Sequence, residues 1–241
     1  MSERLVGINI PKGRQEGFGL PIRVSFDALC FSEVKADYKN LVFIGGASGV
    51  GKSTITGELN KQGFNVVGSG DLLCQAAGIR QEERHRFYTL DFRKYEQGMI
   101  DALEHEIDIL PPGETLVYDT RYAVTSEEIS NGAEKWIPAM SQKYLEQILN
   151  ISQLNVWNIL VEPTSCGELC VRRSIDTAKQ RPGKIATVSN ELIHTRRQFS
   201  NYTRVGRNIA SNPVRGVAVV SNPGGRDQPF HIARAISSFV R

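Results

Sequence analysis

Leu41-Val42-Phe43-Ile44-Gly45-Gly46-Ala47-Ser48-Gly49-Val50-Gly51-Lys52-Ser53-Thr54 is an apolar run, a glycine-rich turn and the start of a helical pattern. From Gly46 onward it satisfies the phosphate-binding loop template of Gly, four residues, Gly-Lys and Ser or Thr. Each residue type has a chemical reason. Glycines let the backbone curl so that successive N–H groups point inward and form a nest for an anion. The helix that follows adds the positive end of its dipole and its unpaired first-turn N–H groups. Lys52 is placed to reach the β- and γ-phosphates of a nucleoside triphosphate, and Ser53 to offer its hydroxyl to Mg²⁺. A plain glycine turn would need none of this order of strand, loop and helix. The residues from Gly46 to Thr54 (Gly46, Ala47, Ser48, Gly49, Val50, Gly51, Lys52, Ser53, Thr54) are therefore expected to bind ATP.

The surroundings are those of an ordinary globular chain. Its 241 residues favour one domain with room for a core, and its 40% hydrophobic and 23% charged fractions fit a soluble protein. A net charge of +3 gives no bulk electrostatic case for nucleic acid as a partner. No apolar run reaches the length of about 18 residues that a membrane span needs. Met1-Ser2-Glu3-Arg4 carries no leader pattern, so the expected compartment is the cytoplasm, with no membrane partner. Cys30 and Cys74 stand alone, and Cys166 and Cys170 have helical spacing; all four read as buried apolar thiols rather than a zinc site.

Before Leu41 the chain lacks helical periodicity. Pro11 to Pro21 reads as loop, and Ile22, Val24 and Phe26 alternate with polar residues as in a half-buried strand. Residues 1–40 are thus an N-terminal β-rich extension, and 41–241 are the main domain. From Leu41 strands and helices alternate, which predicts a doubly wound α/β fold. The five expected strands are Leu41–Ile44, Phe64–Val67, Thr115–Tyr118, Val156–Val161 and Gly216–Val220. They form a mostly parallel sheet with helices on both faces. Helix Lys52–Gln62 ends at Gly63, and a short helix starts at Asp71. A long helix carries Tyr95, Met99, Leu103, Ile107 and Leu110 on one stripe before Pro111-Pro112. Tyr122–Pro138 reads as polar and irregular. Ala139–Leu149, Gly167–Ala178, a basic stretch near Asn190–Ile209 and Phe230–Val240 read as helices.

Open parallel sheets bind ligands beyond the C-terminal ends of their strands. Every strand here delivers polar groups at that end: the loop itself, Asp71, Asp119 with Arg121, Glu162, and Asn222. Asp119 closes an apolar strand, the arrangement of a carboxylate that holds Mg²⁺ or its waters, with Glu162 as runner-up. Arg121 is placed to grip an acceptor phosphate through its planar fork. Asp71 has two readings, a helix cap and an acceptor-pocket carboxylate. Arg172, Arg173, Asp176, Lys179, Arg181 and Lys184, followed by Arg196, Arg197, Arg204 and Arg207, form a basic cluster in the region of about 172–207. It reads as a lid whose arginines neutralise a transferring phosphoryl group, although Arg172–Asp176 has the spacing of a surface ion pair. The four histidines show no metal-ligand spacing.

The order of these motifs resembles the P-loop nucleoside monophosphate kinases, most closely the archaeal-type adenylate kinases. Gly46–Thr54, the Asp119-Thr120 strand end, and the run Leu160-Val161-Glu162-Pro163-Thr164-Ser165-Cys166-Gly167-Glu168-Leu169-Cys170-Val171-Arg172-Arg173-Ser174-Ile175-Asp176 carry the resemblance, which spans roughly residues 41–240. It implies Mg²⁺ with ATP as donor, a nucleotide monophosphate acceptor, a lid bearing Arg172 and Arg173, and an oligomer, often a trimer. It also implies that Asn222, after Val219-Val220-Ser221, lies on the adenine side. Gly70-Asp71-Leu72-Leu73 resembles the acceptor turn of bacterial-type adenylate kinases, but Cys74 stands where those carry Arg, and Arg84 or Arg86 is the replacement.

The leading expectation is a phosphotransferase that moves the ATP γ-phosphoryl group to a phosphate-bearing small molecule. An ionised phosphate is already nucleophilic, so Lys52, Arg121, Arg172 and Arg173 need only position it and balance charge. The alternatives are an alcohol kinase with Asp71 as general base, and a nucleotide-binding regulatory module. The chain has no Asn-Lys-x-Asp guanine motif. A polynucleotide kinase, using the basic cluster to hold a 5′ end, is a minor further option.

Overall fold

The computed structural model describes residues 4–7, 26–80, 83, 92–125, 136–175, 188–209 and 212–240. In chain order the elements are β1 (Arg4–Gly7), β2 (Phe26–Cys30), β3 (Lys39–Gly45), α1 (Lys52–Lys61), β4 (Asn65–Gly68), α2 (Ser69–Ala76), α3 (Phe92–Ile109), β5 (Thr115–Asp119), β6 (Ala123–Thr125), β7 (Trp136–Pro138), α4 (Gln142–Leu149), β8 (Leu154–Pro163), α5 (Cys166–Ile175), α6 (Val188–Asn208), β9 (Val214–Asn222) and α7 (Gln228–Val240).

One seven-stranded sheet runs in the order β1-β2-β9-β8-β3-β5-β4. The pairs β9–β8, β8–β3, β3–β5 and β5–β4 are parallel, which gives the five-stranded parallel body. The extension completes it: β2 pairs antiparallel with β9, and β1 with β2. β3 reads as a continuous apolar run because both its faces are covered, as parallel strands require. Its side chains alternate between two cores. Val42 and Ile44 pack with Ile55 and Leu59 of α1 and Ile232 and Ile236 of α7. Leu41 and Phe43 pack with Leu72 of α2, Leu103 and Ile107 of α3, Ile148 of α4 and Tyr202 of α6. α6 gives Val188 and Leu192 to the first core and Phe199 and Tyr202 to the second, so it joins the two faces.

Three sequence readings change. The stretch Tyr122–Pro138 is not irregular throughout: β6 and β7 pair antiparallel, Val124 opposite Ile137. These three-residue strands are too short to show a period-two pattern. The short helix begins at Ser69 with Gly68 as N-cap, which places Asp71 in its first turn rather than at its start. Of the cysteines only Cys74 is buried; Cys30 and Cys170 are half-buried and Cys166 is exposed. Of the strand expected over Ile22, Val24 and Phe26, Phe26 is described and lies in β2. Ile22, Val24 and the Pro11–Pro21 loop lie outside the described residues, as do Arg84, Arg86, Asp176, Lys179, Arg181 and Lys184. Among the described residues no helix is long and apolar enough to cross a membrane.

Candidate phosphate-binding site

The loop leaves β3 at Gly45 and enters α1 at Lys52. Gly49 and Gly51 adopt φ of 85° and 91°, a left-handed backbone that favours glycine. A Cβ on Gly46 would lie 2.3 Å from the Val161 carbonyl oxygen, so the first glycine of the motif is required by contact with β8. Two loop carbonyls are held from outside the loop, by α5 and by Asn222 at the end of β9. Ser48 O accepts from Arg173 Nε at 2.9 Å and from its Nη2 at 2.7 Å. Val50 O accepts from Asn222 Nδ2 at 2.7 Å and Arg172 Nη1 at 3.3 Å. The amides of Thr54 and Ile55 begin the helix by donating to Gly51 O. Among the described residues no carbonyl or side chain accepts from the amides of Gly49, Gly51, Lys52 and Ser53. Four donors in and around one tight turn, at a helix N-terminus, fit a polyphosphate.

Lys52 is buried, and its ammonium donates to Gly46 O at 2.8 Å and Ala47 O at 3.0 Å. Burial lowers its pKa to about 8, against the pull of the Asp119 carboxylate. Asp119, at the end of β5, accepts a hydrogen bond from the Thr56 hydroxyl at 3.2 Å. Burial raises the Asp119 carboxyl above its usual range, with Lys52 the largest opposing influence and the Thr56 and Ser53 hydroxyls smaller ones. A half-buried carboxylate with the first serine of the helix nearby is an oxygen donor set that fits Mg²⁺.

Arg121 follows Asp119 and is half-buried. Its charge is among those that act on Lys52, Asp119 and Glu191, so it lies near that group. Among the described residues its guanidinium has no hydrogen-bond or ion-pair partner, whereas Arg172 is paired with Glu168, Arg173 with Glu191 and Arg196 with Glu162. Tyr122 fixes the segment. Its ring is fully buried on Gly45, where a Cβ would lie 2.2 Å from the ring, and its hydroxyl donates to Asn158 Oδ1 and, at 2.8 Å, to Ile159 O.

The remaining predicted residues take different places. Arg172 and Arg173 on α5 hold loop carbonyls. Asn222 is buried; its Nδ2 donates to Val50 O in the loop, and its Oδ1 accepts from Gly224 N at 3.1 Å in the turn after β9. Its position is thus beneath the loop. Glu162, the second metal candidate, accepts both arms of the Arg196 guanidinium. Asp71 stands at the rim after β4, whose Gly68 is opposite Asp119, and its Oδ2 lies 2.7 Å from where a Cβ of Gly68 would be.

Sequence reading gave no place to Glu191, Tyr122 or Asn158. Glu191 is buried, and its Oε1 accepts from the Ser48 amide at 2.7 Å while Oε2 pairs with Arg173 Nη2 at 2.5 Å. The one signal available was an acidic residue in the first turn of the α6 basic stretch, which reads equally well as a favourable helix-dipole charge.

No protein-family model matches the chain, and no curated protein does. Solved structures do. A shikimate kinase from Acinetobacter baumannii in complex with shikimate is 16% identical with a TM-score of 0.42, covering 85% of this chain and 94% of its own. A shikimate kinase from Bacteroides thetaiotaomicron is 10% identical with a TM-score of 0.48, covering 83% and 97%. A gluconokinase from Sinorhizobium meliloti is 12% identical with a TM-score of 0.38, covering 86% and 95%.

Proposed function

We propose that the chain is a phosphotransferase that moves the terminal phosphoryl group of ATP, with Mg²⁺, to a small molecule carrying a phosphate of its own, as a nucleoside monophosphate does. The observation that carries this reading is the set of uncommitted amides at Gly49, Gly51, Lys52 and Ser53 beside a buried lysine. In this proposal the amides bind the polyphosphate, and Lys52 holds the oxygens at its transferring end. Ser53 and Asp119 would hold the metal, which would supply positive charge to balance the phosphates. Arg121 grips the acceptor: among the described residues its guanidinium has no hydrogen-bond or ion-pair partner, and an anionic ligand would supply one. An acceptor oxygen forms a new P–O bond while the bond between the γ-phosphorus and its bridging oxygen breaks, and ADP carries away the electron pair. Arg172 and Arg173 keep the loop shaped for this by holding its carbonyls, and Asn222 does so from below. In this reading residues 41–241 are the kinase domain and 1–40 its N-terminal extension, of which Arg4–Gly7 and Phe26–Cys30 add two strands to the sheet.

One observation supports a second acceptor class. Asp71 is a carboxylate at the rim, beyond the strand next to the one that ends in Asp119. A hydroxyl acceptor would lose its proton to such a group. A coupled ADP-release assay against nucleoside monophosphates and small alcohols separates the two, with Lys52→Ala as the inactive control. Asp71→Asn loses most turnover if the acceptor is an alcohol and little if it is a phosphate. Slow ATP hydrolysis that no acceptor on either panel accelerates would point instead to a nucleotide-binding regulatory module.

A further inference from the structure

The site already contains an anion, and it belongs to the protein. Glu191 is buried on α6, far along the chain from the loop, yet its carboxylate accepts from the Ser48 amide at 2.7 Å. The other oxygen pairs with Arg173 Nη2 at 2.5 Å, and the same guanidinium donates to Ser48 O. A loop amide and an arginine therefore converge on Glu191, a donor set that a phosphoryl group would recruit.

We infer that Glu191 is a specificity-determining residue whose carboxylate holds the seat of the transferable phosphoryl group. This rests on the reading of the loop as a triphosphate site and deepens it. A carboxylate and a phosphoryl group cannot share those donors. When a triphosphate binds, the Glu191 side chain leaves the Ser48 amide, and Arg173 exchanges a carboxylate partner for a phosphate one. A diphosphate ends short of the seat and leaves Glu191 where it is. The internal anion thus lowers the affinity for the donor nucleotide relative to the product nucleotide, and it keeps Arg173 oriented until the donor arrives.

The experiment is calorimetric titration of the full chain and of Glu191→Gln with Mg·ATP and Mg·ADP, with thermal unfolding recorded for both proteins. Glutamine keeps the shape and removes the charge. The unaltered chain is expected to bind the two nucleotides within about threefold of each other, because the extra phosphate must displace an anion. In Glu191→Gln the Mg·ATP affinity rises by roughly tenfold or more while Mg·ADP stays within about twofold. Equal weakening of both nucleotides in a folded Glu191→Gln would show that Glu191 only braces the loop, and would overturn the inference. If that variant does not fold, the unaltered chain suffices: Mg·ATP bound at least about tenfold more tightly than Mg·ADP would mean the seat is open. Absence of heat with both nucleotides in both proteins removes the triphosphate reading and this inference together, whereas failure of the Glu191 comparison alone leaves that reading standing.

Discussion

Replacing Lys52 by Met separates what the lysine costs the fold from what it gives the site. Burial lowers the ammonium from 10.5 to about 8, so the charged form is disfavoured in the folded chain by roughly 3 kcal/mol. Two hydrogen bonds to Gly46 O and Ala47 O return about 1–3 kcal/mol each. The two effects nearly cancel, and Lys52→Met is expected to unfold within a few degrees of the unaltered chain. The unfolded chain binds more protons than the folded one between about 8 and 10.5, so the lysine's contribution to stability is fully present above that window and is lost as pH falls through about 8. Nucleotide binding runs the other way. Polyphosphate favours the ammonium, so above about pH 8 each bound Mg·ATP takes up a proton. At pH 9 only about one lysine in ten is charged in the free protein, and affinity is weaker by about tenfold, or 1.4 kcal/mol, than at pH 7. Calorimetry at several pH values, in buffers of different ionisation heat, measures both the slope and the proton. Lys52→Met binds weakly and with no such slope. Parallel pH curves for the two proteins would refute the placement of Lys52 against the phosphates.

Two further substitutions test the geometry. Gly46→Ala puts a methyl group against the Val161 carbonyl, costs about 1–3 kcal/mol by overpacking and weakens Mg·ATP binding, whereas Gly57→Ala meets nothing within 4 Å and stabilises α1 by about 1 kcal/mol; urea unfolding of the pair checks both. Tyr122→Phe leaves Asn158 and Ile159 without their donor in the core and lowers stability by about 1–3 kcal/mol, read by thermal unfolding, with KM for the acceptor rising as Arg121 loses its anchor.

The parallel sheet, its helices and the glycine-rich loop between β3 and α1 were readable because their signals are local. Apolar runs such as Leu41–Ile44 and Val156–Val161 mark buried strands, and the Gly46–Thr54 spacing carries its own chemistry. Strand ends also exposed Asp119 and Arg121, since the sheet itself lines them up beside the loop. Contacts between distant segments left no such trace. Nothing near Glu191 announces that it meets Ser48 across 143 positions of chain, and Tyr122 sits in a stretch whose short strands have no period. Asn222 was found by its position at a strand end, but only packing shows that its amide is used beneath the loop. Arg172 and Arg173 looked like cations waiting for a phosphate; in the folded chain they are joined to loop carbonyls and to Glu168 and Glu191. The acidic partners were visible as residues but not as partners.

Amide hydrogen exchange across the loop, with and without Mg·ATP, addresses the anion nest itself. The amides of Gly49, Gly51, Lys52 and Ser53, which have no acceptor among the described residues, are expected to slow by at least about tenfold when the nucleotide is added, while Thr54 and Ile55, already bonded to Gly51 O, change little. Unchanged exchange at all four amides under saturating Mg·ATP would contradict the proposal that this loop cradles a polyphosphate.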